Sequence, residues 1–187
     1  MGPNWFIGLA VAAPGLRERL GEPPPGVSLL HPDDLHLTLA FLGDVGEERA
    51  RLAWAERGRL GPLGPSTRFD FGSIVGLGNR RRPSALSACL GSGEAKLGAA
   101  IGRVRDAMQD AAGAERERRP PLPHVTIARV RRSASEQEHG AALAWARDVD
   151  LGGLGALVEQ IALYSAGDAS GGRRYRRVDH EIIAPGG

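Results

Sequence analysis

Two short stretches carry residues whose type and spacing fit one chemistry. HLTLAFLG (36–43) and HVTIARVR (124–131) each place a Thr two positions after a His. Residues i and i+2 share one face of a strand, so His36 stands beside Thr38 and His124 beside Thr126. An imidazole exchanges protons near neutral pH, and a hydroxyl donates to an anionic oxygen. Two imidazoles facing each other divide the labour, one neutral as base and one protonated as acid. In-line cleavage of a phosphodiester without a metal needs that set. One HxT tripeptide says little by itself. Two copies, each with an apolar alternate face, form a pattern. His31, His139 and His180 have no such frame. His139 falls in a predicted helix and is expected to be exposed.

The elements around the motifs repeat as well. Alternation predicts a strand over 35–42, with His36, Thr38 and Ala40 on one face and Leu35, Leu37, Leu39 and Phe41 on the other. Further strands are predicted at 5–11, 28–30, 67–77, 84–90, 124–130, 157–164 and 175–183. Helices are predicted at 16–20, 47–60, 94–112 and 136–146. In the third of these, Leu97, Ile101, Val104 and Met108 fall on one face. Each half runs from an HxT strand through a polar loop to a helix carrying Ala-Trp-Ala (53–55 and 144–146), then strands. His36 and His124 are 88 residues apart, and so are Phe69 and Leu157. This order predicts an internal duplication within one domain, 1–187. Its fold class is α+β: two pseudo-symmetric lobes, each an antiparallel sheet with helices packed outside, and a groove between them.

Composition narrows the setting. The chain has 187 residues, 24 basic and 22 acidic, for a net charge of +2. Lys96 is the one lysine; every other basic residue is Arg. Hydrophobic residues make up 42% and charged residues 25%, which argues for a folded chain over a disordered one. A single cysteine, Cys89, cannot form an internal disulfide, so a reducing, cytoplasmic compartment is expected. No apolar run reaches the roughly 18–20 residues of a membrane span, so no membrane partner is expected. The spacings of zinc motifs and of the P-loop are missing, so neither a metal nor a cofactor is expected.

The residues quoted resemble the 2H phosphoesterases, named for paired H-x-[ST]-x motifs. Within them the chain looks like the bacterial and archaeal 2′-5′ RNA ligase-like branch, the RNA 2′,3′-cyclic phosphodiesterases. PDDLHLTLAFLGDV (32–45) is close to the first signature of that branch, and PHVTIARVRR (123–132) fits the second. WFIGLAVAAPGLRERL (5–20), FDFGSIVGLGNRRRPSAL (69–86) and GGRRYRRVDHEI (171–182) extend the likeness over nearly the whole chain. Leu122 replaces a common Phe, and Ser87-Ala88-Cys89 replaces a Trp-Ala-Gly-like stretch. Both departures are expected to bear on the substrate walls and to leave the His/Thr pairs untouched.

The resemblance implies that His36 and His124 are catalytic and that Thr38, Thr126 and Arg129 bind the phosphate. It implies a metal-independent hydrolase that opens RNA 2′,3′-cyclic phosphate ends to 2′-phosphates, with reversible 2′-5′ RNA ligation at the same site. Strict alternation puts Arg129 on the face away from Thr126, so reaching the phosphate requires a bulge or strand end near Ala128. The sequence does not order the two histidines; the reading leans to His124 as base and His36 as acid. Arg131, Arg132, Arg173, Arg174, Tyr175 and Arg176 are the expected RNA contacts. Arg80–Arg82 and Arg116, Arg118 and Arg119 form further basic clusters. The expected partner is RNA with a cyclic phosphate end, or a small cyclic nucleotide. Two alternatives are a small-molecule cyclic phosphodiesterase for nucleotides or ADP-ribose cyclic phosphate, and a non-catalytic RNA- or nucleotide-binding module.

Overall fold

Eight antiparallel strands and four helices make up the fold, in a computed structural model that describes residues 2–63, 67–79, 81–167 and 171–183. The strands are β1 (Trp5–Ala12), β2 (Val27–Leu29), β3 (His36–Gly43), β4 (Arg68–Gly78), β5 (Pro83–Leu90), β6 (His124–Val130), β7 (Gly155–Ala166) and β8 (Tyr175–Ile182). The helices are α1 (Leu16–Leu20), α2 (Gly46–Ala55), α3 (Glu94–Ala112) and α4 (Glu136–Asp148). A 3-10 turn over Glu56–Leu60 finishes the segment predicted as one helix to residue 60. The predicted loop at 76–79 is instead largely the end of β4, paired to β5 through Gly78. Arg80, of the Arg80–Arg82 cluster, lies outside the described residues.

The strands form two sub-sheets, β3-β1-β7-β8 and β2-β6-β5-β4. β1 is apolar on both faces because it is covered on both, which is why its sequence runs without alternation. β8 is an edge strand and carries Arg176, Arg177, Asp179 and Glu181, charges that discourage further pairing. The sub-sheets meet at two seams. One is a single pair, Leu37 with Val125, joining β3 to β6. The other joins β4 to β7 through Arg68–Leu157, Phe69–Ala156 and Asp70–Gly155. Shifting by 88 residues maps Leu37 onto Val125 and exchanges the Arg68–Leu157 and Phe69–Ala156 pairs. A pseudo-two-fold axis through both seams accounts for that symmetry.

Helices pack on the faces away from the groove. α3 turns Leu97, Ile101, Val104 and Met108 into the core and ends at Gly113, whose φ of 64° closes the helix in the left-handed region. α4 starts from a capping box in which Ser135 and Glu138 satisfy each other's backbone N–H. His139 on α4 is 6% exposed, so its expected exposure is wrong: it lies on the core-facing side of the helix with Ala142 and Ala146. No helix among the described residues is long and apolar enough to cross a membrane.

Candidate active site

His36 opens β3 and His124 opens β6, so each histidine adjoins the Leu37–Val125 seam. Each is fixed in the same way. His36 Nδ1 donates to the carbonyl of Asp34 at 2.7 Å, and His124 Nδ1 donates to the carbonyl of Leu122 at 2.7 Å. A carbonyl only accepts, so Nδ1 carries the proton in both rings. Nε2 is then the nitrogen left for chemistry.

The threonines sit two residues on, half-buried on the same face. Across β1, Gly8 opposes Thr38; a Cβ at Gly8 would lie 3.0 Å from the Leu37 carbonyl and 3.3 Å from the His36 ring. Glycine there lets the imidazole rest on the strand. Across β5, Ser87 opposes Thr126, and their hydroxyls lie 3.1 Å apart. The Ser87-Ala88-Cys89 stretch therefore does touch a His/Thr pair, contrary to the sequence expectation. Cys89 opposes His124, and burial, with Glu94 nearby, pushes its thiol up, so it stays protonated.

Each HxT strand carries a bulge at the same place. β6 advances from Thr126 to Ala128 while β5 advances from Ser87 to Leu86, leaving Ile127 extra. β3 advances from Thr38 to Ala40 while β1 advances from Gly8 to Ile7, leaving Leu39 extra. The extra residue reverses the alternation beyond it. Arg129 thus returns to the His124/Thr126 face, meeting the condition that strict alternation had denied it. Phe41, assigned by alternation to the apolar face, comes instead to the His36/Thr38 face and is 52% exposed. Arg129 and Phe41 are 88 residues apart and occupy corresponding positions in the two lobes.

The first lobe walls the site with rings. Phe6 stacks on His36 at 4.6 Å, Tyr175 meets His36 edge-on at 5.3 Å, and Tyr164 lies beneath at 5.5 Å. Arg129 Nη2 donates to the Tyr175 hydroxyl at 3.0 Å, so β8 of one lobe steadies the arginine of the other. Asp34, fully buried, joins these parts. Its carboxylate accepts from the backbone N–H groups of Arg174 (2.7 Å) and Tyr175 (3.3 Å), while its carbonyl holds His36.

His36 is 8% exposed, a buried histidine more than the open-groove residue expected from sequence. Burial pulls its pKa from 6.5 down to about 4; the Asp34 hydrogen bond opposes this, and the His124 and Arg129 charges add to it. No group of three or more His, Cys, Asp or Glu gathers in metal-binding geometry among the described residues.

The expected RNA contacts separate. Tyr175 belongs to the ring wall. Arg131 is paired with Glu138 at 2.7 Å, and Arg173 approaches Asp33 at 3.9 Å. Arg174 engages Asp34 through its backbone, and Arg132 is exposed. Arg176 opposes Ser165 on the α2 side of β8, whereas Arg177 opposes Tyr164 on the groove side. Sequence reading missed Gly8, Phe6, Tyr164 and Asp34, and it missed the reach of Ser87 to Thr126.

No family model matches the chain. The RNA 2′,3′-cyclic phosphodiesterase of Bacillus subtilis is 30% identical over 135 residues, spanning 68% of this chain and 71% of that protein. The crystal structure of E. coli LigT complexed with 3′-AMP shares the fold with a TM-score of 0.68 at 21% identity, covering 98% of this chain and 99% of the other. TT0787 of Thermus thermophilus does so with a TM-score of 0.63 at 24% identity, covering 97% and 98%. Two lobes, each presenting an HxT strand to a shared groove, define a 2H phosphoesterase. Within that superfamily the chain belongs to the LigT-like branch, the RNA 2′,3′-cyclic phosphodiesterases.

Proposed function

We propose that the protein hydrolyses RNA 2′,3′-cyclic phosphate ends to 2′-phosphates by acid/base catalysis between His36 and His124, without a metal. The matched imidazoles carry this reading: each has Nδ1 tied to a carbonyl and Nε2 left for proton transfer. Binding alone needs no such pair, which disfavours a non-catalytic module. Thr38, Thr126 and Arg129 hold the phosphate oxygens, and the guanidinium fork suits two of them. Phe41 offers a flat apolar surface for a base. Cytoplasmic RNA is the setting that the single cysteine fits.

Water attacks phosphorus, and the P–O3′ bond breaks opposite it. One Nε2 takes a proton from water, and the other imidazolium gives one to O3′. The buried His36 is neutral at pH 7 in the free site, which favours it as the base and His124 as the acid. This reverses the order that sequence suggested. A bridging sulfur in place of O3′ needs no protonation, so it should restore turnover in the variant lacking the acid alone. Rescue of His36→Ala rather than His124→Ala would return the original order. With a 5′-hydroxyl in place of water, the same attack and the same P–O3′ cleavage would form a 2′-5′ linkage. We also propose that residues 1–187 form one bilobal domain arisen by duplication, which the 88-residue correspondences support.

The test is turnover of a dinucleotide 2′,3′-cyclic phosphate. His36→Ala and His124→Ala should each lower it by roughly 10²–10⁴. Activity within a few-fold of the parent in either variant would defeat the mechanism. A second reading, a small cyclic nucleotide as substrate, is favoured by the engagement of Arg131 and Arg173 with acidic residues. Comparing a mononucleotide with the dinucleotide and a longer RNA separates the two readings.

A further inference from the structure

The terminal cyclic phosphate leaves RNA only one way to continue, toward its 5′ end. The ring wall of Phe6, Tyr164 and Tyr175 occupies the β8 side of the site, where Arg173 lies 3.9 Å from Asp33 and the Arg174 backbone is tied to Asp34. Phe41, the counterpart of Arg129, opens onto a cavity of about 500 Å³ between the end of β3 and residues 115–119. Gln109 holds this boundary together: its Nε2 donates to the Phe41 carbonyl at 3.2 Å, and its Oε1 accepts from the Glu117 N–H at 3.2 Å.

The charges lining the cavity are not equivalent. Arg116 is paired with Asp110 and lies 3.7 Å from Asp106. Glu117 lies 3.9 Å from Arg105. Arg118 and Arg119 are exposed and have no acidic partner among the described residues. Glu115 is the one opposing charge left. The segment then runs Arg119-Pro120-Pro121-Leu122-Pro123 directly into His124. Three prolines in four residues make it a stiff spacer, and at ~3.1 Å per residue Arg119 lies no more than ~16 Å along the chain from His124. That is within about five stacked nucleotides at ~3.4 Å each.

We propose that the strand upstream of the cyclic phosphate leaves the groove past Phe41 and lays its phosphates on Arg118 and Arg119. The inference rests on the phosphodiesterase reading and adds the exit path and the length of RNA engaged. Arg131 and Arg132, beyond the second motif, then lie off the path.

The experiment compares Arg118→Ala/Arg119→Ala with Arg131→Ala/Arg132→Ala, each against the parent, on a mononucleotide 2′,3′-cyclic phosphate and a 12-nucleotide RNA with the same end. The first double variant should raise KM for the 12-mer by about 10-fold and leave the mononucleotide unchanged. Its binding should lose about 1.4 from the slope of log affinity against log salt, at ~0.7 per single-strand phosphate contact. Arg118→Lys/Arg119→Lys should keep most of the affinity. Equal losses on both substrates, no loss on the 12-mer, or a loss confined to the Arg131/Arg132 variant would each overturn the proposal. Binding of a 12-mer with a 2′-phosphate end is measured in parallel. A parent that turns over neither substrate would sink the phosphodiesterase reading, while the binding comparison still decides the path.

Discussion

Burial of His36 has a thermodynamic consequence that can be measured without substrate. The unfolded chain binds a proton on this residue at 6.5, while the folded chain does so only at about 4. Between those values the unfolded state holds more protons, so folding stability rises with pH there. The contribution is complete above pH 6.5 and is lost as pH falls toward 4. From the two pKa values, the loss between pH 7 and pH 5 comes to about 2 kcal/mol. Urea unfolding at the two pH values reads it as a shift of the midpoint by about 1 M at an unchanged slope of ~2 kcal/mol/M. Other groups also titrate, so the informative quantity is the difference from His36→Asn. Its amide can keep the bond to the Asp34 carbonyl and does not titrate. The variant should lose about 2 kcal/mol less than the parent over the same interval. Equal losses in parent and variant, or an imidazole nitrogen resonance of His36 that titrates near 6.5, would refute the buried neutral assignment.

Three further outcomes follow from the geometry. Tyr175→Phe removes the acceptor of Arg129 and should raise KM several-fold for every cyclic-phosphate substrate while kcat changes little; a uniform fall in kcat would mean the ring acts through His36 instead. Gly8→Ala sets a methyl 3.0 Å from the Leu37 carbonyl and 3.3 Å from His36, and should lower kcat by about 10-fold or more, as expected when a catalytic ring is displaced by a fraction of an ångström; parent-like kcat would show that β1 yields. Incubation with EDTA should leave turnover intact, and loss restored by a divalent ion would assign the chemistry differently.

Sequence reading went furthest where the information is local. The HxT pairs, the face of α3 and most strand spans follow from periodicity alone. The bulge at Leu39 escaped it and the one near Ala128 stood only as a condition, because Leu39 and Ile127 are extra only relative to β1 and β5, whose register is set by pairing. The face of Phe41 was therefore misassigned and that of Arg129 left conditional. Asp34 reads as a turn residue, yet its carboxylate binds backbone 140 and 141 residues away. The Ser87–Thr126 contact likewise depends on a strand pairing that no periodicity reports. The burial of His139 was lost to a simpler error, treating a polar residue on a helix as solvent-facing without placing it against Ala142 and Ala146.

The single pair joining β3 to β6 bears on how the lobes respond to load. Leu37 and Val125 each follow directly on a histidine, so the imidazoles sit beside one of the two seams about which one lobe can rock against the other. A point moves in proportion to its distance from the pivot. A small rotation therefore widens the groove mouth, remote from that seam, more than it separates the two rings. The mouth can open for strands of different bulk while the spacing between proton donor and acceptor is nearly preserved. Tolerance in what enters and constancy in what reacts are then produced by the same hinge.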